Sequence, residues 1–195
     1  MSVARPLTLV DIAAPRSSAL MNVLLVVAAS LVTAGAAQLE IRLPWTPVPI
    51  TGQSFAVLLS GMVLGARRAF LAQMLYLAEG SMGLPFFAGG AAGFATLLGP
   101  SGGYLIAFPF AAALTGFLAE RGWDRNPFTM FAGMLTGSTV IFTLGLLQLS
   151  RFVPSEALLA SGLLPFIPGD LIKSALAAGV FPLVWKLVKS LGDRA

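Results

Sequence analysis

The 195-residue sequence is 57% hydrophobic and only 10% charged, with a mean hydropathy of +0.88. Soluble domains carry about 25% charged residues, so this chain cannot face water on all sides and reads as an all-α, polytopic membrane protein. The net charge of +4 is not a nucleic-acid patch, because the basic residues fall between apolar segments; the absence of cysteine and histidine excludes disulfides, thiolate chemistry and the usual general base and metal ligand.

Residues 1–18 carry Arg5 and Arg16, and Asp11 and Pro15 interrupt them before any long apolar run. They read as a cytoplasmic tail with a short amphipathic turn. A membrane span needs about 20 mainly apolar residues, and Ala19 to Leu39 supplies the first. It is too long and too well continued for a cleaved signal. Inside it, Ala29 and Thr33, and Ser30 and Ala34, lie four apart. Small residues at that spacing let a second helix approach closely, either within this chain or from another subunit.

In VPITGQSF (48–55), Thr51 or Ser54 can cap a second helix, while the amide of Gln53 near membrane depth needs partners. Ser54–Ala66 and Ala69–Ala78 are apolar arms separated by Arg67-Arg68. One continuous helix would bury both arginines at about 2.5–3.5 kcal/mol each, so a hairpin with the arginines in its turn is expected. Each arm is short, and the glycine- and proline-rich pieces around it must supply the remaining depth. Such interrupted segments point to a binding site, since irregular backbone is tolerated at membrane depth only inside protein or a cavity.

Tyr76 leans towards a structural role. In the 81–102 loop, Phe86 and Phe87 suit an apolar pocket wall or the aromatic belt, the belt being the better fit for Trp45. Pro-Ser-Gly-Gly at 100–103 is turn chemistry opening the next span, and Tyr104 just inside it reads equally as an interfacial anchor or a phenolic donor. Gly103–Ala119, Phe128–Leu149 and Pro165–Val188 complete the spans. The last carries Asp170 and Lys173, which at i and i+3 share one helix face. Asp170 lies in the first turn, where the dipole favours a carboxylate. The plain reading is a cap and a snorkelling lysine, but Lys173 is deeper than Asp170, and ionisable groups inside a span are functional by default. Together they offer a donor and an acceptor to a small polar solute.

Six spans put both termini on one side. Arg5, Arg16, Arg67, Arg68, Arg121, Arg125, Lys186, Lys189 and Arg194 fall there, against Arg42 and Arg151 opposite. The positive-inside rule makes that side cytoplasmic, so the loops 40–52, 81–102 and 150–164, and Asp170, face outward. Residues 19–190 form the membrane domain. No GxxxxGK[ST] occurs, so any ATP-driven step needs another protein.

Four stretches, VPITGQSFAVLLSGMVLGARRA, YLAEGSMGLPFFAGG, LLGPSGGYLIAFP and PFIPGDLIK, in this order across residues 22–180, resemble the BioY family. These are the biotin-specific substrate-binding (S) components of energy-coupling factor (ECF) vitamin transporters. The resemblance implies a six-helix S-component fold in a prokaryotic plasma membrane, with biotin bound near the outer side under the loops joining helices one to two and three to four. It implies a transmembrane coupling protein and two ABC-type ATPase subunits as partners. It places Asp170 and Lys173 in the biotin site, with Gln53 and Tyr104 as further candidates, Phe86 or Phe87 as apolar wall, and the stripe of Ala29, Ser30, Thr33 and Ala34 as a docking face. No cofactor is implied, biotin being the cargo. Two departures stand out. FAGGAAG lacks a more polar residue expected in that loop, and Ser101 replaces a commoner threonine. The alternatives are an S component for another small vitamin and a stand-alone carrier using Asp170 as a proton site. An intramembrane enzyme is disfavoured by the lack of histidine, cysteine or a carboxylate pair in one span.

Overall fold

The computed structural model describes residues 8–13 and 18–192 and is mostly helical. A short helix α1 (Leu9–Ala13) precedes α2 (Ala19–Ala37), whose start is capped by the Ser18 hydroxyl accepting from Met21 N–H at 3.2 Å. A two-stranded antiparallel ladder, β1 (Glu40–Ile41) with β2 (Ile50–Thr51), pairs Glu40 with Thr51 and Ile41 with Ile50. Then come α3 (Gln53–Leu64), α4 (Ala66–Ser81), a one-turn α5 (Phe94–Leu98), α6 (Gly102–Ala119) and α7 (Pro127–Leu149), followed by α8 (Ser155–Gly162) and α9 (Ile167–Gly192).

Helix α6 is the hub, packed against α3, α4 and α7; α2 lies on α3 and α4, and α9 on α7. Among the described residues, α2, α6, α7 and the run 155–187 are long and apolar enough to cross a membrane. Helices α3 and α4, at 12 and 16 residues, reach about 18 and 24 Å, less than a ~30 Å hydrocarbon core.

The arginine pair is not in a turn. The chain breaks two residues earlier, at Gly65, whose φ of +81° is open to glycine alone at little strain. Helix α4 restarts at once, because the Glu120 carboxylate accepts from Ala66 N–H at 2.9 Å and meets a helix-start donor that would otherwise lack a partner. Arg67 and Arg68 therefore occupy the first turn of α4. Arg68 bonds Asp11 at 2.8 Å and Asn22 at 2.8 Å, fastening α1 and α2 to this end. Burial pushes the Asp11 carboxyl up, but Arg68 and Thr8 outweigh it and hold it below its ordinary value. The loop expected at 150–164 contains α8.

At the same end, Asp124, in the turn between α6 and α7, is fully buried and accepts from Trp185 Nε1 of α9 at 2.6 Å. Among the described residues its other oxygen has no hydrogen-bond partner. Burial pushes this carboxyl up, opposed by the Trp185 bond.

Candidate functional site

At the opposite end, residues of the segments 42–51 and 87–101, with Phe166, line a cavity of about 420 Å³ together with residues of α3, α6, α7 and α9. Its floor and walls are mostly apolar, with Phe87, Phe108, Ile141, Phe142 and Phe166 among them, and a few convergent polar groups set into them. That size and composition suit a small, partly polar ligand.

The polar groups centre on α9. That helix begins with Pro168 in its first turn, where proline costs no hydrogen bond, and Asp170 N–H closes the turn onto Phe166 C=O at 2.9 Å. The Asp170 side chain does not cap its own helix. It crosses to α7, accepting from Ser138 Oγ at 2.7 Å, and is 9% exposed. Among the described residues only its Oδ1 is engaged, leaving acceptor capacity at the cavity edge. Lys173 does not snorkel outward past Asp170. Its ammonium donates to the main-chain carbonyl of Thr51, at the end of β2, at 2.8 Å. An ammonium has three donors, so two remain. Aspartate and lysine thus bound one cavity without bonding each other, each held by a different neighbour.

Gln53, at the first position of α3, is buried and also bounds the cavity. Its Nε2 donates to Tyr76 of α4, and its Oε1 accepts from Thr51 Oγ1 at 3.0 Å. Thr51 Oγ1 accepts in turn from Gln53 N–H at 3.2 Å, although the N-cap position of α3 is Gly52 and neither Thr51 nor Ser54 occupies it. Tyr76, fully buried, donates onward to Phe86 C=O at 3.1 Å. The amide therefore ties α3, α4 and the loop beyond α4 into one network beside the cavity.

Tyr104 bounds the cavity with its ring, lying against Gly145 of α7, where a Cβ would come within 2.3 Å of the ring. Its hydroxyl donates to Gly162 C=O at the end of α8, 2.7 Å away, so the phenol holds α8 over the site. Of the two loop phenylalanines, Phe87 bounds the cavity, stacked edge-on to Tyr76 at 5.6 Å. Phe86 contributes its carbonyl to Tyr76, and its side chain lies outside the lining. Trp45 is 63% exposed, in keeping with a belt position.

The small-residue stripe of α2 lies elsewhere and faces inward. Ser30, Thr33 and Ala34 are buried and Ala29 half-buried, where α2 packs on α3 and α4. Ser30 donates to Glu79, and Thr33 Oγ1 accepts from Gln73 Nε2 at 3.1 Å. In this arrangement α3 and α4 occupy the face expected to meet another subunit, because the hydroxyls on that face find their partners within the chain.

Sequence reasoning missed Ser138, the Thr51 carbonyl and Arg42 at the cavity margin. Ser138 did not stand out in the sequence, because its span also carries Thr129, Thr136, Thr139 and Thr143. A main-chain carbonyl leaves no mark in the sequence.

The BioY family model matches residues 10–190. The probable biotin transporter BioY of Pyrococcus horikoshii is 43% identical over 131 residues, covering 67% of this chain and 76% of the relative. The biotin transporter BioY of Rhizobium etli is 36% identical over 148 residues, covering 71% and 78%. The crystal structure of the S-component for biotin from an ECF-type ABC transporter superposes with a TM-score of 0.77 at 30% identity, covering 86% of this chain and 92% of that one. The cavity between α9 and the loops therefore sits in a fold shared with a biotin-binding subunit, and the chain belongs to the BioY family.

Proposed function

We propose that this chain is the membrane-embedded, substrate-specific component of an ECF-type vitamin transporter and that its cargo is biotin. In this reading it works in a prokaryotic plasma membrane, with residues 19–190 forming six spans and both termini in the cytoplasm. Helices α3 and α4 make up the two short spans. A transmembrane coupling protein and two ABC-type ATPase subunits supply the energy, in keeping with the absence of a phosphate-binding loop from the sequence. The role is binding and transport, not catalysis.

The observation that carries the reading is the pairing of Asp170 and Lys173 at one edge of an otherwise apolar cavity. The ureido ring of biotin presents two N–H donors and one strong carbonyl acceptor. The unengaged oxygen of Asp170 accepts from an N–H, and Lys173 donates to the carbonyl. Phe87, Phe108 and the Tyr104 ring provide the surface for the thioether ring and aliphatic chain. Gln53 fixes the loop carbonyl that positions Lys173.

Titration of the purified, detergent-solubilised protein with biotin tests this. Saturable binding below the micromolar range is expected with no ion gradient present, and its absence defeats the reading. Asp170→Asn replaces a charged acceptor and should weaken binding by roughly tenfold or more, since hydrogen bonds to charged groups contribute about 1.5–3 kcal/mol. An unchanged affinity would reduce Asp170 to a tie between α9 and α7.

A further inference from the structure

At the margin of the cavity, just past β1, stands a charged pair. Arg42, just past β1, donates from Nε to Glu40 Oε1 at 2.8 Å. The Arg42 side chain is 71% exposed, although the residue bounds the cavity, whereas Glu40 is mostly covered at 18%. The pair leans on the loop that carries Phe87. A Cβ at Gly89 would come within 2.3 Å of Arg42 Nη2 and 2.7 Å of Glu40 Oε1, so only a glycine lets the guanidinium lie there. Among the described residues the second oxygen of Glu40, which is buried, has no hydrogen-bond partner.

An exposed ion pair contributes little to stability, and this one orders a long side chain and leaves a buried carboxylate oxygen unsatisfied. What the arrangement does achieve is orientation. Glu40 engages Nε, and among the described residues the two terminal nitrogens have no other hydrogen-bond partner. A guanidinium held in this way retains N–H donors in the planar fork that matches a carboxylate.

The ladder gives its position relative to the polar end of the site. Thr51, whose carbonyl holds Lys173, pairs with Glu40 across the strands. Arg42 lies two residues further along, roughly 7 Å at ~3.3 Å per residue. The neighbouring lining residues Val48, Pro49 and Ile50 are apolar. A ligand seated with its ring at Asp170 and Lys173 has only this one other cation at the margin of the lining to receive an anionic tail.

We infer that Arg42, oriented by Glu40 against Gly89, is the specificity-determining residue that reads the ligand's carboxylate. The inference rests on the biotin reading above and deepens it. It makes the site select for an acid: a ring with paired N–H donors at one end, an aliphatic spacer, and a free carboxylate at the other. Lys173, committed to the Thr51 carbonyl and to the ring, does not serve the tail.

The test compares biotin with its uncharged carboxamide, by titration of the native protein and of the Arg42→Gln and Arg42→Lys variants. The native protein should prefer biotin by roughly tenfold or more. In Arg42→Gln the two ligands should bind within about threefold of each other, through loss of biotin affinity with the carboxamide little changed. Arg42→Lys should restore part of the preference, a point charge replacing the fork. A preference unchanged in Arg42→Gln, or an equal loss for both ligands as expected of a mere clasp between loops, overturns the assignment while leaving the biotin reading intact. If the native protein saturates with neither ligand, the biotin reading fails first, and this inference with it.

Discussion

Helices α2 and α6 are nearly equal in length and both apolar, yet they invert the habit of soluble proteins. The more hydrophobic of the two, α2, has a mean hydropathy of 2.1 and is only 17% buried within the chain, whereas α6, at 1.6, is 72% buried. In water the greasier helix would go inside. Here the exterior is itself apolar, so hydropathy no longer decides what is central, and close packing does. Helix α6 is central because its small residues let α3, α4 and α7 approach. Helix α2 is peripheral and turns its leucines and valines outward, keeping its hydroxyls for α4.

This contrast is open to direct attack. The largest effect should come from Gly116→Leu in α6, because even a Cβ there would sit 2.4 Å from Ala66 N and 2.5 Å from Gly65 C. Backbone cannot yield as a side chain does, and a loss of about 3 kcal/mol or more is expected. Gel filtration and thermal unfolding in detergent should show aggregation or a much lower Tm; a near-native profile would mean that α6 is not the hub.

Next comes Leu31 of α2, which is 50% exposed. Leu31→Ala should change stability by no more than about 0.5 kcal/mol, like other surface positions. Leu31→Arg should impair membrane insertion by about 2.5–3.5 kcal/mol. If the arginine is as harmless as the alanine, that face of α2 meets water or a polar partner, and the inversion between the two helices disappears.

A third test sharpens the contrast at the end away from the cavity, where a carboxylate is buried. Trp185→Phe removes the indole N–H that donates to buried Asp124 and should cost about 1–3 kcal/mol at neutral pH. Burial raises the folded-state pKa of Asp124 above its unfolded value near 3.8. Its contribution therefore favours the folded chain below that value and is lost as pH rises through the folded-state value. The Trp185 bond opposes the upward push, so the variant's deficit should shrink on acidification. Thermal unfolding across pH checks this, and Asp124→Asn should flatten the dependence.

Much of this architecture was legible in residue order. Long apolar runs gave the spans, because a helix satisfies its own backbone in a medium without water. Asp170 and Lys173 stood out because nothing else between Pro165 and Val188 was charged apart from Lys186 near its far end. The α3–α4 break was misplaced by a residue or two for a definite reason: the arginines are conspicuous, but the chain bends where φ must be positive, at Gly65. The small residues of α2 illustrate a deeper limit. Their spacing says that something approaches closely, and it is silent on whether the visitor belongs to the same chain. Phe86 and Phe87 pose the same ambiguity, since adjacent residues differ only in which way each side chain turns.

The attachment of Lys173 bears on how such a site can change over evolutionary time. Its acceptor at position 51 is a peptide oxygen, which every amino acid supplies. Substituting that residue leaves the anchor in place so long as the local path of the chain is kept. The residue at position 51 can therefore change while the grip of β2 on α9 is kept.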